Sequence, residues 1–156
     1  MARNVEIKAR VPSLAAIEPL AAALSGQEPT HIAQDDTFFA CARGRLKLRA
    51  FADGSGELIF YRRNDETGPK ESFYIITPTA APDALRETLA LAYGAIGRVR
   101  KQRLLFMAGR TRIHLDRVEG LGEFLELEVV LRDGESAEAG MADFEFATWF
   151  GTFAPA

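Results

Sequence analysis

A period of two in the charges limits how this chain can fold more than any other feature. Over 5–11, apolar Val5, Ile7, Ala9 and Val11 alternate with Glu6, Lys8 and Arg10. An extended strand with this pattern carries one apolar and one ionic face, which a helical period of 3.6 would scramble. The alternation returns five more times. Arg43, Arg45, Lys47 and Arg49 fall on one face of a segment ending at Phe51, and Ile59, Tyr61 and Arg63 share a face further on. Val99, Lys101 and Arg103 share another, followed by Arg112, His114 and Asp116, and then by Phe124, Glu126 and Glu128 set against Leu125, Leu127 and Val129.

Reading these periods together with the turn residues predicts strands over 5–11, 31–41, 43–51, 57–63, 71–77, 99–106, 112–116 and 123–131. Asp53-Gly54, Ala108-Gly109 and Asp133-Gly134 supply the turns. A first helix places Leu14, Ile17, Ala21 and Leu24 on one face between a capping Ser13 and a terminating Gly26. Pro19 inside it removes a backbone donor and is expected to bend or delay it. A second helix fits 82–93, with Pro82 in its first turn and Gly94 behind it. A weakly phased third helix is expected over 136–149.

At 156 residues and 47% hydrophobic content, the chain suffices for one sizeable core and not for two ordinary domains, so a single domain over 1–156 is expected. The net charge of -3 and a pI near 5.5 argue against the broad positive field of a nucleic-acid binder. Cys41 is the only cysteine, so no internal disulfide is expected and the residue reads as a small packed hydrophobe. With neither an apolar signal segment nor a bilayer-length apolar run, a soluble cytoplasmic protein without membrane contact is the simplest reading. His31 and His114 lack zinc-ligand spacing, and His114 reads as a strand residue near a lumen or its rim. Trp149 and the phenylalanines near it offer a homodimer contact, with core packing the preferred role.

Two arrangements satisfy the alternating faces. Apolar faces turned inward would give a lipocalin-like barrel with a greasy interior and an outside ringed with Arg. Ionic faces turned inward would give a charged lumen, with the apolar faces packed outward under helices. The sorting of signs argues for the second, because Glu6, Asp116, Glu126 and Glu128 fall on the same faces as Lys8, Arg103 and Arg112. About eight strands are needed to enclose such a lumen. The basic residues are 15 Arg and 4 Lys, and Arg grips phosphate oxygens with a planar fork. Cations converging from several strands suit a triphosphate, and carboxylates beside them suit Mg²⁺ or Mn²⁺.

The stretches Asn4–Lys8, Asp36–Phe39, Gly44–Arg49, Val99–Arg103, Arg112–Asp116 and Leu121–Glu128 closely resemble the CYTH superfamily in order and spacing. That superfamily comprises class IV adenylyl cyclases, thiamine triphosphatases and other triphosphate tunnel metalloenzymes. The resemblance implies an α+β protein built as a closed eight-stranded antiparallel β-barrel, a tunnel with a few flanking helices. It implies metal ligation by Glu6, Glu126 and Glu128, with Asp116 completing the shell, and catalytic roles for Glu6 and Lys8. It implies phosphate binding by Arg45, Lys47, Arg49, Arg63, Lys101, Arg103 and Arg112. The details look most like the bacterial cyclase branch, which makes cyclic AMP and pyrophosphate from ATP. The alternatives are a phosphohydrolase of thiamine triphosphate or tripolyphosphate and a non-catalytic nucleotide or polyphosphate binder. The last is motivated by Asn4, which stands where the signature has its first Glu and offers an oxygen without a charge.

Overall fold

The structure is a computed structural model that describes residues 2–63 and 69–143. Eight strands close into a barrel: β1 (Ala2–Arg10), β2 (Thr30–Phe39), β3 (Arg45–Phe51), β4 (Gly56–Arg63), β5 (Lys70–Thr79), β6 (Ala95–Ala108), β7 (Thr111–Val118) and β8 (Gly122–Val130). Around the barrel they run β1-β5-β4-β3-β2-β6-β7-β8, and every neighbouring pair is antiparallel. Closure leaves no free edge, so all eight ladders help hold the cavity open.

The ionic faces point inward. Registers of Glu6 with Glu128, Lys8 with Glu126, Arg112 with Glu128 and Arg103 with Asp116 put these side chains on one surface, because partners in a ladder point to the same side of the sheet. The outward apolar residues of β6, β7, β8 and β1 form the core with α1 (Leu14–Ser25) laid across them. Leu14, Ile113, Leu115 and Val129 are fully buried there, and each such side chain contributes about 1.5–3 kcal/mol. The core of this protein therefore lies outside its barrel, and the lipocalin-like alternative is ruled out.

Helix α2 (Pro82–Tyr93) covers β2 and β3, and the short α3 (Ala137–Met141) lies against β1 and β8. Gly140 makes α3's close approach feasible, since a Cβ there would collide with Leu131. Ser13 caps α1 by its extended backbone alone, without a side-chain bond, and Gly26 ends the helix at φ 65°. Pro19 neither ends nor delays α1, which runs through it to Ser25. The buried Leu14 and Ala21, on either side of it, tie both halves to the barrel.

Other boundaries shift modestly. β6 starts four residues before the expected Val99, because its first residues ladder with the end of β2 across an irregularity at Phe38/Phe39. Arg43 drops out of the cationic row, since β3 begins at Arg45 and the Arg43 carbonyl instead accepts a hydrogen bond from Arg62. The expected third helix is described only as α3 to Met141, and the rest of that expectation, with Trp149, lies outside the described residues.

Candidate functional site

The barrel encloses a cavity of about 1020 Å³, at the upper end of the roughly 300–1,000 Å³ of small-molecule sites. All the sequence-predicted site residues except Asp116 line it. Glu6, Lys8, Arg45, Lys47, Arg49, Arg63, Lys101, Arg103, Arg112, Glu126 and Glu128 thus face one space although they come from six strands. Asp116 is fully buried behind them, where both its oxygens accept hydrogen bonds from Arg103 at 2.7 and 2.8 Å and Lys101 lies 3.7 Å away.

A second fork mirrors that one. Asp36 accepts from Arg49 Nε and Nη2, both at 2.8 Å, with Lys47 at 3.5 Å. Burial would raise the Asp36 pKa, but Arg49 and then Lys47 outweigh it and hold the carboxyl at about 2. The same contest leaves Asp116 below its ordinary value. Each fork fixes a guanidinium at the wall and turns its remaining donors toward the cavity. The neighbouring lysines are less comfortable. Burial and Arg49 push Lys47 down to about 8, and burial and Arg103 push Lys101 down to about 7. In an empty tunnel these amines hold their protons weakly, and an anion among them would reverse that.

The carboxylates of β1 and β8 are arranged differently. One ligand atom each of His114, Glu126 and Glu128 lie within 4.8 Å of one another, and Glu6 stands close enough that Glu126 and Glu128 both act on it. Burial first, and then these two neighbours, push Glu6 up to about 7 against the pull of Arg63. Glu126 is held low: burial opposes its charge, but His114, Arg103, Lys8 and Lys101 prevail. Glu128 accepts a 2.6 Å hydrogen bond from Asn4 and lies 3.4 Å from Arg112. Three buried polar atoms around this corner have no partner: Asn4 Oδ1, His114 Nδ1 and Arg63 Nε. Buried polar groups rarely stay unpaired, so the corner is built for something that supplies partners. Clustered carboxylates with a free amide oxygen and an imidazole are the donor set of a divalent cation, and the residues present fit one.

One mouth of the tunnel differs from the rest. Toward the β7–β8 turn the lining becomes Val99, Val118, Leu121 and Phe124, with Phe38 beside them on β2. Lys8 and Arg10 lie over the Phe124 ring at 5.4 and 5.5 Å, and Arg10 also donates to the Leu121 carbonyl. An apolar arc rimmed by cations suits the flat organic part of an anionic ligand.

A family model described as the CYTH domain matches residues 2–152. The chain belongs to the CYTH family. Members of that family act on triphosphates and use divalent metals, which agrees with the cationic wall and the acidic corner of this CYTH barrel. Among solved structures it is similar to the PH1012 protein of Pyrococcus horikoshii, at 23% identity and a TM-score of 0.77, over 88% of this chain and 82% of that one. It is similar to a candidate adenylate cyclase of Vibrio parahaemolyticus at 23% identity and a TM-score of 0.67, over 94% and 86% of the two chains. It also resembles the RNA triphosphatase of Schizosaccharomyces pombe at 12% identity and a TM-score of 0.56, over 97% and 84%. At these identities the likeness speaks for the fold. No curated protein matches the chain. Among the described residues of the CYTH barrel no helix is long and apolar enough to cross a membrane.

Sequence reasoning missed Asp36 as the partner of Arg49, and it set His114 apart from the metal site. His114 was within reach of the same alternation, which puts it between Arg112 and Asp116 on the ionic face, whereas only the β2–β3 register sets Asp36 opposite Arg49. It placed Tyr61 on the face of Arg63 without giving it a role, and it missed Ser72 and Tyr74, because isolated polar and aromatic residues on β5 carry no charge pattern to flag them.

Proposed function

We propose that this protein is a class IV adenylyl cyclase-like enzyme that converts ATP into cyclic AMP and pyrophosphate, with Mg²⁺ or Mn²⁺ as cofactor. The observation that carries the reading is the junction, in one enclosed space, of buried cations, an under-neutralised carboxylate corner and an apolar mouth. The first two suit any triphosphate. The third favours an organic triphosphate over inorganic tripolyphosphate.

In this reading Arg49 and Arg103, fixed by Asp36 and Asp116, grip the phosphate chain with Lys47 and Lys101, while Arg45, Arg63 and Arg112 reach it from the flanks. Asp116 acts through Arg103 as a positioning residue. Glu6, Glu126 and Glu128 hold the cation, which when bound supplies Lewis-acid polarisation of a phosphoryl oxygen. The ribose 3′-oxygen attacks the α-phosphorus, the bond from that phosphorus to the bridging oxygen breaks, and pyrophosphate leaves with its charge among the cations. The 3′-hydroxyl proton passes to Glu6, and Lys8 beside it helps to place the attacking oxygen.

Turnover of ATP, thiamine triphosphate and tripolyphosphate, each with Mg²⁺ and with Mn²⁺, tests this. Cyclic AMP with stoichiometric pyrophosphate supports the cyclase. Release of free phosphate reassigns the barrel to the triphosphatases, and tight binding without turnover reassigns it to a binding module.

A further inference from the structure

We propose that His114 is a nitrogen ligand of the cation held at Glu126 and Glu128, so that this site prefers Mn²⁺, or another transition ion, to Mg²⁺. The inference rests on the reading of the acidic corner as a divalent-metal site and adds a ligand to it.

Four observations converge on His114. It comes from the middle of β7, where ladder pairing sets it directly against Glu126 on β8. It is only 5% exposed, yet it lines the tunnel cavity. Its Nδ1 is buried without a hydrogen-bond partner, and its Nε2 stands 3.7 Å from Glu128 Oε1, too far for a hydrogen bond. The Nδ1 is therefore without a protein partner, and the Nε2 meets Glu128 only at ion-pair distance. Finally, one atom from each of His114, Glu126 and Glu128 fall within 4.8 Å of each other. Donors at about 2.1 Å from a cation sit about 3 Å apart when adjacent and about 4.2 Å apart when opposite, so a closing of the pairs by up to about 1.8 Å, within the reach of side-chain rotation, brings all three into one coordination sphere.

A histidine serving only as packing would not leave a buried nitrogen idle beside two carboxylates. The 3.7 Å approach of His114 to Glu128 is a loose ion-pair distance rather than a hydrogen bond, and Asn4 and Arg112 also meet that carboxylate. Imidazole nitrogen suits transition ions, whereas Mg²⁺ prefers oxygen and keeps its water. Replacing one oxygen position by His114 therefore shifts selectivity and leaves the total charge of the carboxylates unchanged.

The test uses the metal-free full chain loaded with Mn²⁺ alone, so it needs no turnover. Pulsed electron paramagnetic resonance should show nitrogen modulation of the Mn²⁺ echo in the native protein and none in His114→Gln. Calorimetric titrations should show the Mn²⁺-over-Mg²⁺ preference falling about tenfold in that variant, with Mg²⁺ affinity changed less than about twofold. Bound Mn²⁺ without nitrogen modulation in the native protein would overturn the inference while leaving the proposed enzyme standing. Failure of the native protein to bind Mn²⁺ or Mg²⁺ at all would count against both. The native spectrum decides the ligand question even if His114→Gln folds poorly, and a preference unchanged in a well-folded variant would overturn the claim of selectivity.

Discussion

The cationic belt of the tunnel and its acidic corner contain the same kinds of group in opposite states of satisfaction. In the belt, Asp36 and Asp116 meet Arg49 and Arg103 through two hydrogen bonds each, and both carboxyls stay ionised. In the corner, Glu6 is pushed toward neutrality while Asn4, Arg63 and His114 keep idle polar atoms. The difference separates scaffold from site. A carboxylate with a fork holds the wall in shape, and a carboxylate without one waits for a ligand.

The largest effect that follows is on turnover. Replacing Glu126 by Ala should abolish metal-dependent activity, with a loss of about a thousandfold in kcat, while circular dichroism and the thermal midpoint show a folded barrel. Activity at the native rate in that variant would mean the corner is not where the chemistry occurs.

The belt should respond in the opposite sense. Asp116→Ala leaves Arg103 buried without its fork and should lower unfolding free energy by about 3 kcal/mol, the low end for an uncompensated buried charge because the lumen is polar. Urea denaturation measures it. A loss below about 1 kcal/mol would show that Asp116 is not structural, and would return it to the metal shell that the family resemblance first suggested.

How much of this was legible in the chain follows from the same contrast. The period of two located the ionic face of most strands, because the pleat enforces it wherever one face packs against helices, and charge sorting argued for an ionic lumen that the family resemblance then supported. Alternation reports which way a side chain points and says nothing of which partner it meets. Asp116 and Glu126 read alike in sequence, as acidic residues on one face. Only the ladder registers show that one faces Arg103 and the other faces His114 and Lys8. The delay expected from Pro19 does not occur for a related reason, since its local cost is outweighed by tertiary burial of α1 that no local window contains.

A third measurement sharpens the contrast at Glu6. Its pKa in the folded chain is raised to about 7 from 4.5, so the folded state favours the protonated carboxyl. Below pH 4.5 the residue is neutral in both states and costs nothing; as pH rises through 7 the penalty becomes complete. In metal-free protein Glu6→Gln should therefore be more stable than the native chain at pH 8, by about 1–3 kcal/mol, and equal to it at pH 4. A variant less stable at pH 8 would mean that the Arg63 contact outweighs burial and repulsion, and that Glu6 belongs with the forks.

The smallest effect tests the lysines between the two regions. Lys101 and Lys47 are depressed to about 7 and 8, so at pH 8 the empty tunnel holds fewer than two protons on them. A polyanion between them raises both values, and the complex then carries more protons than its parts. Binding of metal-free tripolyphosphate at pH 8 should take up about one proton, seen as a dependence of the calorimetric heat on the ionisation enthalpy of the buffer, and affinity should fall about tenfold from about pH 7.5 to 8.5. Every group on the wall shifts in the same direction when an anion arrives, so Glu6 can only add to the uptake. Proton release, or an affinity that rises with pH, would mean that the anion does not sit among these lysines.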